Sequence, residues 1–201
     1  MMRTLKLSRG LLAVTAVLAL AACGESTSSD SGPAPSAAAS AATSATFNDA
    51  DVAFAQQMIP HHQSAIAMAK MATGHVGDPR VAELARKIQA AQQPEIDTMN
   101  RWLTAWGKPL ASPGGEAMEG MDHGDMAGVD ELDMTALMNA KGTPWDKEFL
   151  AVMVKHHQGA VVMAEQELAQ GASSDAKALA QAIITDQQAQ ITEMKQLRAG
   201  L

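Results

Sequence analysis

Cysteine occurs once in the 201-residue chain, at Cys23. A disulfide framework and a thiolate-rich metal site are thereby excluded. Tyrosine is absent, and three Phe with three Trp make an aromatic share of 3%. That leaves little for the stacking surfaces of single-strand nucleic-acid binders and disfavours an aromatic-rich β sandwich. Basic residues are also few, 15 Lys and Arg against 22 Asp and Glu, for a net charge of −7. No basic patch suits a phosphate backbone, so nucleic acid is not an expected partner. A Gly-rich phosphate loop and a Gly-x-Ser-x-Gly elbow are missing, and no catalytic residue is assigned. What the chain has in excess is methionine, 14 in all, within an apolar share of 47%.

The N-terminal stretch reads as a targeting segment. Arg3, Lys6 and Arg9 form a positive region, and Leu11 to Leu20 is too short an apolar run to span a bilayer as a stop-transfer helix. Leu20-Ala21-Ala22-Cys23-Gly24 follows. It resembles the lipobox of bacterial lipoproteins, whose Cys is diacylated and becomes the first residue of the mature chain. The resemblance implies a signal peptide over 1–22, lipidation at Cys23, and a membrane anchor on an extracytoplasmic face or in a periplasm. Without residues 1–22 the chain holds 12 basic and 22 acidic residues, a charge of −10, and no free thiol, so any soft metal ligand must be Met. Residues 23–46, mostly Ser, Ala, Thr, Gly and Pro, cannot bury enough surface to offset chain entropy and read as a flexible tether.

Over 47–201 the pattern is helical and repeated. Residues 54–103 align with 149–198 at a constant offset of 95, with 15 identities in 50 pairs. Phe54, Met58, His61-His62-Gln63, Ala65 and Met68-Ala69 recur as Phe149, Met153, His156-His157-Gln158, Ala160 and Met163-Ala164. Further on, Gln92-Gln93 and Met99 recur as Gln187-Gln188 and Met194. Each half reads as two helices. Apolar steps of three and four put both His of each pair in a buried face. Asp78 is the expected N-cap of the second helix with Pro79 at its first position. Asp146 lies near the start of the third, and Ser173 or Ser174 caps the fourth. Pro60 and Pro94 predict local kinks. The expected fold is all-α, one four-helix bundle built from two repeated helical hairpins, with a Met- and His-rich connection over 108–142. Asp130 to Ala140 predicts a short returning helix, and His75 a surface residue at the first hairpin.

Met58-Ile59-Pro60-His61-His62-Gln63 with Ala65 and Met68-Ala69, the second His-His-Gln, and Trp102-Leu103 with Trp106-Gly107 carry a specific likeness. Over about residues 47–199 the chain resembles the bacterial family called domain of unknown function 305. That resemblance implies a ferritin-like four-helix bundle and, for some members, periplasmic copper handling. Val154-Lys155 stands where the family has Ile-Pro, which leaves the His pair in place.

The residues themselves favour copper over iron. Ferritin-like di-iron sites use a Glu three residues before a ligating His, whereas Met58 and Met153 hold that position before His61 and His156. A thioether and an imidazole one helical turn apart suit Cu(I), tolerate Cu(II) through the imidazole, and are poor for iron or magnesium. His61, His62, His156 and His157 with Met58 and Met153 are therefore the candidate core ligands. Gln63, Gln158, Gln92, Gln187 and Glu95 are candidates to orient them. Met68, Met163, Met99 and Met194 read as core packing. In the connection, Met118, Met121, His123 and Met126 among Gly and acidic residues resemble the Met-His loops of exported copper-resistance proteins and are candidates for weaker capture. The function expected is copper sequestration or delivery by an exported, lipid-anchored protein, with a copper-transfer protein as partner. Two other classes stay open: a ferritin-like copper oxidase, and a helical interaction module with structural histidines.

Overall fold

A computed structural model describes residues 46–111 and 131–201. The expected signal segment, Cys23 and the residues Met118, Met121, His123 and Met126 lie outside the described residues. Within them the protein is all α. Its helices are α1 (Asp49–Lys70), α2 (Pro79–Ala105), α3 (Glu131–Asn139), α4 (Thr143–Gln170) and α5 (Ser174–Ala199). None is long and apolar enough to cross a membrane.

The helix starts follow from local chemistry. Asn48 caps α1 in a reciprocal box with Asp51. Asp78 caps α2 with Pro79 behind it, and Ser173 caps α5, as the sequence predicts. α1 and α2 run through Pro60 and Pro94 without ending. α4 begins differently: Gly142, at φ 64°, precedes it with no side-chain cap. Asp146 is free of that duty. Fully buried, it accepts the amides of Gly77 and Asp78, at 3.0 and 2.9 Å, in the turn between α1 and α2. Asp51, 95 residues earlier, does the same for the turn between α4 and α5, accepting Ala172 N at 3.1 Å and Ser173 N at 2.9 Å.

These clamps fix how the helices run. The start of α1 meets the end of α4, where Asn48 Nδ2 also donates to the Gln170 carbonyl at 2.8 Å. The segment entering α4 meets the segment leaving α1, where Gly142 N donates to the His75 carbonyl at 2.7 Å. The two helices are therefore antiparallel. His75 is correspondingly more than the surface residue its loop position suggests. Half-buried, it bonds Ala140 O through Nδ1 at 2.9 Å, and its ring centroid lies 6.2 Å from that of Trp145, because the chain returning from α3 passes over the hairpin.

α1 packs on α2, α4 on α5, and α1 on α4. Two apolar clusters result. One holds Phe54, Met58, Ile59, Ile96, Met99, Leu103, Met163 and Ile183. The other holds Met68, Leu84, Ile88, Trp145, Phe149, Leu150, Met153 and Met194. Asp51, Asp146 and Glu167 are buried near the helix ends, whereas the mid-helix buried polar residues fall between the stretches feeding the two clusters: His61 and His62, Gln92, His156 and His157, and Gln187. A polar belt divides the core.

Candidate metal centre

Each His pair sits near the middle of its helix. Because α1 and α4 are antiparallel, the two middles meet. The His61 and His156 ring centroids are 3.6 Å apart with 35° between planes, while His62 and His157 lie 6.4 and 6.3 Å from their sequence neighbours. His62 Nε2 bonds Glu95 Oε2 of α2 at 2.5 Å. His157 Nε2 accordingly bonds Gln190 Oε1 of α5 at 2.7 Å.

The remaining nitrogens are left bare. Both ring nitrogens of His61 and of His156, and Nδ1 of His62 and His157, are buried with no hydrogen-bond partner in the protein; so are the side-chain amides of Gln92 and Gln187. An unpaired buried polar group costs about 1–3 kcal/mol. Such groups are few in a folded protein and ask for a reason. Apart from Trp145 Nε1 and the Glu167 carboxyl oxygens, those among the described residues are gathered in this belt.

Charge is also disfavoured on three of the four rings. Burial foremost, then the neighbouring His62 and His157, bring His61 down to about 3. Burial, His61, His157 and His62 bring His156 well below the ordinary 6.5. Burial lowers His157 to about 4 against the hydrogen bond it donates to Gln190 Oε1. These three imidazoles are neutral at physiological pH and hold lone pairs to donate. Among the described residues no three His, Cys, Asp or Glu side chains converge as a metal cluster. An ion in the belt as it stands would meet at most two imidazoles and would need softer or more distant donors besides. Met58 and Met153, both fully buried and one turn before His61 and His156, are the thioethers at hand. Such a set fits copper and silver better than iron, magnesium or calcium.

The orienting residues divide. Glu95 holds His62. Gln92 and Gln187 are buried in the belt without bonding a histidine. Gln63 and Gln158, expected to orient the ligands, are exposed, because a residue following two inward-facing helical positions is turned outward at 3.6 residues per turn. Gln190 is the residue sequence reasoning missed. The signal was available: it is Glu95 moved by the repeat offset of 95, hidden because the two are not identical. Met68, Met163, Met99 and Met194 lie in the apolar clusters, as do Met58 and Met153.

Comparison with known proteins gives the chain its relatives. CopM in its Cu(II)-bound form is 36% identical, with a TM-score of 0.63 over 75% of this chain and 96% of CopM. CopM is also known in Cu(I)-bound and silver-bound forms. A DUF305 protein of Streptomyces coelicolor classed as secreted is 28% identical, with a TM-score of 0.64 over 75% of this chain and 91% of that one. The uncharacterized protein L153 of Acanthamoeba polyphaga mimivirus is 44% identical over 53 residues, 26% of this chain, and the match spans only 35% of that viral protein. The family model described as domain of unknown function, DUF305, matches residues 51–198. The chain belongs to the DUF305 family.

Proposed function

We propose that this protein is an exported, lipid-anchored copper-binding protein that sequesters copper or hands it on, with the ion as its cargo. The observation that carries the reading is the facing pair His61 and His156, neutral, buried and without partners for any of their four ring nitrogens. Met58 and Met153 supply thioethers to Cu(I), and the imidazoles serve either oxidation state. Copper- and silver-bound CopM structures, from a relative 36% identical in its Cu(II) form, support the choice of metal. The secreted class of the Streptomyces relative and the Cys23 boundary support export and anchoring. The long helices are read as a ferritin-like four-helix bundle of two duplicated hairpins. Matching contacts 95 residues apart support that reading: Asp51 with Asp146, and His62–Glu95 with His157–Gln190. Met118, Met121, His123 and Met126 capture copper more weakly, since ligands on a loop bear an ordering cost that a preorganised site avoids.

Competition titrations with Cu(I) and Cu(II) chelators test this. Wild type is expected to hold a tight copper that His61→Ala, His156→Ala loses, while replacement of the four loop ligands removes only weaker binding. A double variant with wild-type stoichiometry and affinity would make the histidines structural and favour an interaction module. For the anchor, Cys23→Ala should move the protein from membrane to soluble fractions, and unchanged retention would refute lipidation there.

A further inference from the structure

His62 and His157 are held by partners of the same shape and different charge. At its bonded atom each partner, Glu95 Oε2 or Gln190 Oε1, is an acceptor, so each ring in its neutral form carries its proton on Nε2 and leaves the Nδ1 lone pair free. Both Nδ1 atoms are buried and make no hydrogen bond of good geometry, with the Met153 carbonyl standing near the His157 ring. The two halves of the belt therefore present the same donor atom with different backing. Behind His62 stands a carboxyl side chain that is 16% exposed beside a ring that is 0% exposed. Behind His157 stands a neutral amide.

A carboxylate on the remote N–H raises the basicity of an imidazole, whereas an amide fixes tautomer and orientation without adding charge. In a buried site a nearby negative charge stabilises a doubly charged ion more than a singly charged one. We infer that Glu95 and Gln190 make the two halves inequivalent toward copper, Glu95 favouring Cu(II) at the His62 side and Gln190 leaving the His157 side suited to Cu(I). The inference rests on the copper reading of the belt and adds a residue pair that sets the preference between oxidation states. Both residues act through a histidine and are positioning residues; neither is needed to touch the ion.

Glu95→Gln keeps the acceptor and the shape while removing the charge, and Gln190→Glu adds charge to the other half. With Cu(I) and Cu(II) affinities measured separately at neutral pH, Glu95→Gln should weaken Cu(II) by about 10–100-fold and leave Cu(I) within about threefold. Gln190→Glu should strengthen Cu(II) relative to Cu(I). A role in orientation alone would leave the ratio of the two affinities at its wild-type value in both variants, which would overturn the inference while tight copper lost in His61→Ala, His156→Ala upheld the site. Affinities identical in wild type and that double variant would overturn the site itself. A second readout needs no metal: nitrogen-15 spectra of the metal-free protein should show His62 and His157 protonated on Nε2. A ring protonated on Nδ1 at either position would overturn the inference directly.

Discussion

Burying neutral imidazoles has a consequence for acid stability whose sign is fixed by the direction of the shifts. In the unfolded chain a histidine titrates near 6.5, whereas His61 and His157 do so at about 3 and about 4 and His156 well below 6.5. As pH falls below 6.5 the unfolded chain takes up protons that the folded one refuses, so stability is lost at up to about 1.4 kcal/mol per pH unit for each histidine. Glu167 opposes this. Burial first, and then the adjoining Asp51, raise it to about 8, so its contribution is full below the ordinary carboxyl range and is lost as pH rises through 8. Three histidines outweigh one carboxyl, and urea unfolding of the metal-free protein should show lower stability at pH 5 than at pH 7. Replacing His61 and His156 by Leu should flatten that dependence; an equally steep loss in the variant would place its origin elsewhere. At this scale the buried polar positions were legible. The duplicated His pairs and the Met one turn before each stand out in the sequence, and all six side chains are buried. Gln190 was hidden because the repeat preserves its role and not its identity.

Between elements the antiparallel crossing of α1 and α4 depends on two buried carboxylates, each accepting amides of the opposite turn. Asp146→Ala leaves the amides of Gly77 and Asp78 without their acceptor, and at about 1–3 kcal/mol for each group left unpaired thermal or urea unfolding should report a loss of about 2–6 kcal/mol. Gly77→Ala should also destabilise, since its added carbon would stand 2.8 Å from the Gly142 backbone, which cannot move without dragging the start of α4. A wild-type melting temperature in Asp146→Ala would remove the clamp from the account. The caps at Asp78 and Ser173 and the apolar stripes were readable because they are local. The clamps were not. An Asp near a helix start looks like a cap, and only the tertiary crossing shows that Asp146 serves another helix pair while Gly142 opens α4 uncapped.

Over the described molecule, apolar periodicity was enough to expect an all-α chain of long amphipathic helices. It could not show that the core would be divided, because a helical stripe tells which face is inward and not which inward residues meet across the interior. The division places a belt of bare imidazole and amide groups where continuous packing would be more stable. A bound ion that repays this cost ties copper affinity to fold stability. A crystal structure of the copper-loaded protein, with anomalous scattering collected at the copper edge, would show where the ion sits. At metal–nitrogen bonds of about 2.0 Å, two imidazoles on one tetrahedral ion have centroids about 5 Å apart, so the His61 and His156 rings should open from 3.6 Å around a copper peak flanked by Met58 and Met153. Copper found only elsewhere, with the two rings still 3.6 Å apart, would contradict the account.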